Sequence, residues 1–110
     1  MTDIHAVCLA LPGAALTFPF GEETAVFKVG GKVFAITAAE SPTHVTLKAE
    51  PEEVTGLVET YESITRGYHM NKKHWITVQV DGLLPDGLVA ELVEDSYDLV
   101  VDNLPARDRP

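Results

Sequence analysis

The fold is decided by one hairpin signature, Thr24-Ala25-Val26-Phe27-Lys28-Val29-Gly30-Gly31-Lys32-Val33-Phe34-Ala35-Ile36-Thr37. Two runs rich in β-branched and aromatic residues flank a pair of glycines, which supply the positive φ angles of a two-residue turn. Such a turn pairs Phe27 with Phe34 and Ala25 with Ile36 on one face, and places Lys28 on the other. The sequence therefore predicts an antiparallel sheet built on this hairpin.

Helices and further strands are predicted on both sides of the hairpin. In chain order they are a helix capped by Thr2, with Asp3 in its first turn, and stopped by Pro12-Gly13; an irregular or edge-strand segment over 14–23; the hairpin; a strand over 44–49; a helix from Pro51; a strand from Trp75 to Val80; and a helix from Pro85 to Asn103. The order α-β-β-β-α-β-α predicts an α+β fold, a twisted antiparallel sheet with helices packed on one face. We expect residues 1–104 to form one domain and residues 105–110 a flexible tail.

Composition limits the classes of protein to which the chain can belong. It has 110 residues, a formal net charge of −9 and a pI near 4.7, which argue against binding nucleic acid or membranes by bulk charge. A single cysteine, Cys8, excludes an internal disulfide framework and fits a reducing compartment. No signal peptide and no long apolar run are recognisable in the sequence. We expect a cytoplasmic protein that does not associate with membranes.

The charges are distributed unevenly along the chain. Six of the eight Lys and Arg residues lie in acid-free segments at or near the predicted strands: Lys28, Lys32, Lys48, Arg66, Lys72 and Lys73. Most acidic residues lie on the two later helices. The sequence therefore predicts a two-sided molecule in which Lys28, Lys48 and Lys73 share one side, a surface that attracts anionic partners.

The segment from Arg66 to Trp75 joins positive charge to aromatic rings. Lys and Arg side chains contact phosphates, and Trp75 or Tyr68 can stack on a base. His and Asn side chains donate hydrogen bonds to anions. The candidate binding residues, on this segment and the sheet, are Lys28, Lys48, Arg66, Tyr68, His69, Asn71, Lys72, Lys73, His74 and Trp75.

Other patterns favour structural roles over chemistry. The spacing of His69 and His74 matches no common zinc motif, so packing is favoured for both. Cys8 lies on the apolar stripe of the first helix and is expected to be an inert core thiol. The acidic stripe Glu91, Asp95, Asp98 and Asp102 is typical of a solvated helix face. With no catalytic motif present, we expect no enzyme activity, no cofactor and no structural metal.

Four motifs in order resemble one family of small bacterial proteins. They are Phe18-Pro19-Phe20-Gly21-Glu22, Val26-Phe27-Lys28-Val29-Gly30-Gly31-Lys32, Gly67-Tyr68-His69-Met70-Asn71-Lys72-Lys73-His74-Trp75 and Ser96-Tyr97-Asp98-Leu99-Val100. Over Ile4 to Leu104 the chain is similar to the MmcQ/YjbR family. The resemblance implies a frataxin-like (CyaY-like) fold whose sheet and loops have been likened to a double-wing DNA-binding motif.

These observations predict a non-enzymatic binding domain that uses a basic sheet face and the 66–75 loop. Nucleic acid is the leading partner, because the resemblance implies DNA binding. Two alternatives stay open. One is an adaptor that applies the same basic face to an acidic protein, and the other is a small-anion site at which Tyr68, His69, Asn71 and Lys72 converge.

Overall fold

The computed structural model describes residues 3–40, 43–67, 73–85 and 87–110. Its elements are α1 (Ile4–Leu9), β1 (Ala15–Thr17), β2 (Thr24–Val29), β3 (Lys32–Ala38), β4 (His44–Lys48), α2 (Pro51–Thr60), β5 (Ile64–Arg66), β6 (Trp75–Gln79), α3 (Leu88–Asp102) and a 3₁₀ helix (Ala106–Asp108). The strands form one antiparallel sheet in the order β1-β2-β3-β4-β6-β5. The predicted α+β class is confirmed.

The sheet has two strands more than the order α-β-β-β-α-β-α contains. β1 occupies the segment predicted to be irregular or an edge strand. β5, which was not predicted, pairs with β6 through Ile64↔Val78 and Arg66↔Ile76. It is three residues long and only Ile64 is buried, so it lacks the alternating pattern that signals a strand.

The hairpin turn is placed as predicted, but the register beyond it is not. Val29 pairs with Lys32 across the turn, whereas Phe27 pairs with Ala35 because a β-bulge inserts Phe34. The predicted pairs Phe27–Phe34 and Ala25–Ile36 are therefore wrong. The bulge turns Phe34 into the core, its ring centroid 6.4 Å from that of Phe27. It also moves Ile36 to the other face.

The two faces of the sheet differ in what covers them. Phe27, Leu47 and Ile76 stand in one cross-strand row, are fully or almost fully buried and face the helices. The opposite face carries a row of β-branched residues, one from each strand: Thr17, Val26, Ile36, Thr46, Thr77 and Thr65. This open face is the one on which Lys28 was predicted and lies.

A buried serine of α3 completes the sheet where the bulge interrupts it. Continuing the β3–β4 register beyond Ile36↔Thr46 would bring Phe34 opposite Lys48. Instead, the Lys48 N–H donates to Ser96 Oγ at 2.8 Å, and Ser96 Oγ–H donates to the Phe34 carbonyl at 2.6 Å. Ser96 is fully buried. Its hydroxyl thus replaces one missing rung of the strand ladder and ties α3 to the end of β4.

Two helix starts differ from the prediction, and one agrees. Asp3 is the N-cap of α1 and not a first-turn residue, because its carboxylate accepts from the Ala6 N–H at 3.1 Å. The predicted cap Thr2 lies outside the described residues. α3 begins at Leu88 and not at Pro85, since Gly87 has φ 82°, which no α-helix accommodates. α2 begins at Pro51 as predicted.

Residues 105–110, which the sequence predicts to be a flexible tail, are all exposed and include the 3₁₀ helix Ala106–Asp108. The Arg109 side chain donates to the carbonyls of Leu104 and Asp102, both at 3.0 Å. Leu104 is buried beside Gly30, where an added Cβ would lie 2.6 Å from Leu104 Cδ1. The φ of 57° and the close approach of Leu104 both favour glycine at position 30.

Candidate functional site

The antiparallel order gathers basic residues at one end of the sheet. Strands β2, β4 and β5 run toward that end and carry Lys28, Lys48 and Arg66 at their last or penultimate positions. Strand β3 leaves it with Lys32 as its first residue, and Lys73 precedes β6 by two positions. We call these five residues the basic end.

Acidic residues mark the opposite end of the same strands. They precede β2 and β5 or follow β3 and β6, and they are Glu22, Glu23, Glu40, Glu62 and Asp81. We call these five residues the acidic end. The sequence predicted separation of charge between the sheet and the helices; the structure adds a separation along the strands. Lys28 and Lys48 share the open face, as expected, and Lys73 lies at their end of the sheet.

Lys48 and Trp75 form a cross-strand pair beside a cavity at the basic end. They sit opposite each other on β4 and β6, and both are half-buried. A cavity of about 440 Å³ opens beside them and is lined by Lys32, Val33, Lys48, Trp75, Val100 and Asn103. It combines an indole ring, two ammonium groups and an amide, so it can bind a flat ring and an anion together.

A second cavity continues the first toward α2. Its volume is about 350 Å³, and its lining is Lys48, Ala49, Glu50, His74, Leu99 and Asn103. Lys48 and Asn103 belong to both linings, and we call the two cavities together the Lys48 groove. The structure therefore brings together three of the predicted site residues, Lys48, His74 and Trp75.

Backbone contacts fix the walls of this groove. Ser96 holds the Lys48 backbone from below, and the Ala49 N–H donates to the His74 carbonyl at 2.8 Å. On the far side of β6, the Gly67 N–H donates to the Trp75 carbonyl at 2.7 Å. A Cβ on Gly67 would lie 2.6 Å from Trp75 Cβ, so only glycine lets the chain approach Trp75 this closely. The positions of Lys48 and Trp75 are thus set by the sheet.

The other predicted residues are placed differently. Arg66 pairs with Ile76 and so faces the helices, where its Nη2 lies 3.4 Å from Thr55 Oγ1 of α2. Lys28 is on the open face but does not line the groove. Lys73 is exposed in the turn before β6. Four predicted residues lie outside the described part of the chain: Tyr68, His69, Asn71 and Lys72.

Lys32 and Asn103 are among the groove residues that were not predicted. Lys32 reaches the site because the Gly30-Gly31 turn sets it at the start of β3, at the same end as Lys48. The position of Lys32 directly after the Gly30-Gly31 turn could have been used to predict this placement from the sequence. Asn103 caps the C-terminal end of α3 and donates its amide to the Leu99 carbonyl at 2.8 Å. Its position depends on how α3 crosses the sheet, which no local pattern indicates.

The helix side of the groove is acidic. A shallow depression of about 210 Å³ there is lined by Glu50, Glu53, Asp95, Asp98, Leu99 and Asp102. Partial burial, together with repulsion from Glu91, Asp98 and Glu94, raises the pKa of Asp95 above its usual range. An anionic ligand is repelled from this side, so it must reach the groove from the open face of the sheet.

The remaining reactive groups have structural surroundings. Cys8 is fully buried in α1, and burial raises the pKa of its thiol to about 12. Hydrogen bonds from the Ser63 hydroxyl and the Leu83 N–H lower the pKa of Asp81. Within the ranges that the structure covers, no three His, Cys, Asp or Glu side chains are grouped to hold a metal ion. No helix in those ranges is long and apolar enough to cross a bilayer.

Comparison with known proteins finds a family model and relatives over most of the chain. A family model described as YjbR matches residues 9–99. The chain is 41% identical to the YbdF protein of Escherichia coli O157:H7, over 94% of this chain and 85% of that protein. It is 33% identical to the YjbR protein of Escherichia coli strain K12, over 99% of this chain and 93% of that protein.

Solved structures with the same fold extend the comparison. A crystal structure of a Deinococcus radiodurans protein with the domain DUF419 has a TM-score of 0.88 and 41% identity, covering 96% of this chain and 82% of that one. A crystal structure of a Pseudomonas syringae protein has a TM-score of 0.69 and 29% identity, covering 91% of this chain and 99% of that one. The sheet and helices described above are therefore shared with solved relatives.

Proposed function

This chain belongs to the YjbR family, and on that premise we propose that it is a non-catalytic domain that binds single-stranded nucleic acid in the Lys48 groove. A base stacks on Trp75, and the adjoining phosphates contact Lys48 and Lys32. Lys28 and Lys73 extend the positive surface on either side. Proteins that bind single strands without sequence preference combine positive charge on the phosphates with aromatic stacking on the bases.

One observation carries this proposal: Trp75 and Lys48 are directly opposed on neighbouring strands and share a cavity with Lys32. An aromatic face beside two ammonium groups suits a nucleotide better than it suits a carboxylate-bearing protein surface. The sheet fixes the backbones of both residues, so only their side chains lose freedom on binding.

The acids around the groove limit the size of the ligand. Glu50 lines the second cavity, and the acidic depression lies beyond it. A duplex that crossed the helix side would meet these carboxylates, whereas a short single strand can follow the open face. We therefore expect single strands to bind more tightly than duplexes, and overall affinity to be modest.

A second candidate is a small phosphate-bearing ligand such as a mononucleotide. The cavity of about 440 Å³ favours it, because sites for small ligands typically occupy roughly 300–1,000 Å³. The chemistry is the same as for a nucleic-acid strand, and only the length of the ligand differs.

The experiment uses Trp75 as its own reporter, because it is the only tryptophan in the chain. Its fluorescence is followed while unlabelled single-stranded oligonucleotides, duplexes and mononucleotides are titrated at several salt concentrations. If about three lysines contact phosphates, the logarithm of the binding constant should fall with the logarithm of salt concentration at a slope of about −2. Quenching by single strands at low salt is the expected result.

A matched pair of variants separates the site from bulk charge. Lys48→Gln and Gln79→Glu each change the net charge by −1, but Gln79 is exposed at the opposite end of β6. Lys48→Gln should weaken binding about tenfold, whereas Gln79→Glu should weaken it far less. Absence of any quenching by every ligand at low salt overturns the proposal. Equal affinity for mononucleotides and longer strands replaces it with the second candidate.

A further inference from the structure

Two phenylalanines are exposed at the acidic end, far from the Lys48 groove. The accessible fractions are 47% for Phe18 and 73% for Phe20. Both lie in the connection between β1 and β2, directly before Glu22 and Glu23. Large apolar side chains exposed close together along the chain are commoner at interaction surfaces than elsewhere on a protein.

Backbone hydrogen bonds determine the shape of this connection. The Gly21 N–H donates to the Phe18 carbonyl at 3.3 Å, and the Thr24 N–H donates to the Gly21 carbonyl at 3.3 Å. Gly21 has φ 110°, a conformation that is available to glycine and strained for other residues. The Ala39 N–H then donates to the Glu23 carbonyl at 2.9 Å, which ties the connection to the end of β3. These three backbone hydrogen bonds thus fix the backbone of the connection that carries Phe18 and Phe20.

A groove with an acidic rim lies beside Phe18. Its volume is about 740 Å³, and its lining is Phe18, Glu22, Glu23, Ala38, Ala39 and Glu40. The lining combines one aromatic residue and two alanines with three exposed glutamates, which we call its acidic rim. An occupant must therefore offer apolar surface to Phe18 and the alanines and positive charge to the acidic rim.

We propose that this Phe18 groove docks a basic segment of another protein, with an apolar side chain against Phe18 and Phe20 and Lys or Arg side chains against Glu22, Glu23 and Glu40. Charge complementarity selects the occupant, since the rim repels nucleic acid and acidic peptides. A second copy of this chain would have to offer its basic end head to tail, which gives a ring or an open filament and not the two-fold dimer that is commonest among homo-oligomers. The proposal is independent of nucleic-acid binding at the Lys48 groove.

Short labelled peptides test the chemistry directly. Fluorescence anisotropy compares a peptide of alternating Arg and Leu, one of alternating Arg and Ser, and one of alternating Glu and Leu. The Arg–Leu peptide should bind most tightly, and the Glu–Leu peptide should not bind. Phe20→Ser should weaken binding of the Arg–Leu peptide about tenfold, since aromatic residues contribute most of the binding energy at such interfaces. Circular dichroism establishes that the variant is folded, as expected for an exposed residue.

Matched controls are available elsewhere on the surface. Leu83 is 77% exposed, so Leu83→Ser removes a comparable apolar side chain from a different place. The pair Glu52 and Glu53 on α2 matches Glu22 and Glu23 in charge and exposure. Replacing Glu22 and Glu23 by Gln should weaken binding severalfold more than replacing Glu52 and Glu53.

Three results overturn the proposal. The first is equal affinity for the Arg–Leu and Arg–Ser peptides, which would show that peptide binding depends on net charge alone. The second is equal loss from Phe20→Ser and Leu83→Ser, or no loss from either. The third is concentration-dependent self-association that Phe20→Ser abolishes in sedimentation experiments, which would make a second copy the occupant. Lys48→Gln should leave peptide binding unchanged, so failure of this proposal is distinguishable from failure of the other.

Discussion

Ser96→Ala should destabilise the domain far more than its small change in volume suggests. The Ser96 hydroxyl is fully buried and serves two backbone groups on different strands, the Lys48 N–H and the Phe34 carbonyl. Alanine removes both hydrogen bonds, and the bulge keeps those two groups from pairing with each other. Phe34 is fully buried and Lys48 is half-buried, and alanine offers neither backbone group a partner in place of the hydroxyl.

The magnitude follows from the cost of burying unpaired polar groups. Each such group costs about 1–3 kcal/mol, so the variant should lose roughly 2–6 kcal/mol. A domain of this size is stable by about 5–15 kcal/mol, so the loss is a large share of the total. Ser63→Ala is the matched control: Ser63 is also buried, but its hydroxyl donates to Asp81 Oδ2, which is exposed and can be hydrated instead. That variant should lose roughly 1 kcal/mol.

Urea unfolding of both variants and the wild type provides the measurement. Linear extrapolation gives the free energy of unfolding, and an unchanged m-value establishes that the denatured states are comparable. A loss from Ser96→Ala no greater than that from Ser63→Ala would refute the view that this hydroxyl replaces a rung of the sheet.

Two further predictions concern ionisable groups. Asp95→Asn should raise the free energy of unfolding by roughly 0.5 kcal/mol at pH 7, because it removes a partly buried charge and its solvent-screened repulsion from Glu91 and Asp98 on the same helix face; urea unfolding checks this, and no gain would contradict it. Cys8 should make stability fall above pH 9. Its thiol stays protonated in the folded state to about pH 12 but ionises near 9.0 when unfolded, so the free energy of unfolding decreases with a slope of up to about 1.4 kcal/mol per pH unit. The difference between wild type and Cys8→Ala between pH 8 and pH 10 isolates this slope, and parallel curves would contradict it.

The fold class was predictable because its signals are local. The Gly30-Gly31 turn, the alternation in β4 and β6 and Pro51 at the start of α2 each appear within a few residues of sequence. The bulge at Phe34 was not predictable in this way, because it is stabilised by contacts distant in sequence. These are the burial of the Phe34 ring in the core and the hydrogen bond from Ser96. The start of α3 was misjudged because Pro85 is a good first helical residue, but Gly87 takes a positive φ.

The candidate site was predictable in part. A basic, aromatic segment before β6 indicated Trp75 and His74, and the charge pattern indicated Lys48. Arg66 was assigned to the same surface because the strand β5 was not recognised, and strand alternation sends its side chain to the helix face. Proximity along the chain is a poor guide to which face of a sheet a side chain occupies.

The hydrogen bonds that α3 makes to distant parts of the chain also determine the order in which the domain can fold during synthesis. Ser96 contacts Phe34 and Lys48 across 62 and 48 positions of sequence, and the Tyr97 hydroxyl donates to the Pro12 carbonyl across 85. During synthesis all six strands therefore leave the ribosome before the helix that covers them. Until α3 docks, the part of the apolar face that α3 covers is exposed to water and the rung at the bulge cannot form. The nascent chain should thus pass through a stage that is prone to aggregation, and α3 should be the step that ends it.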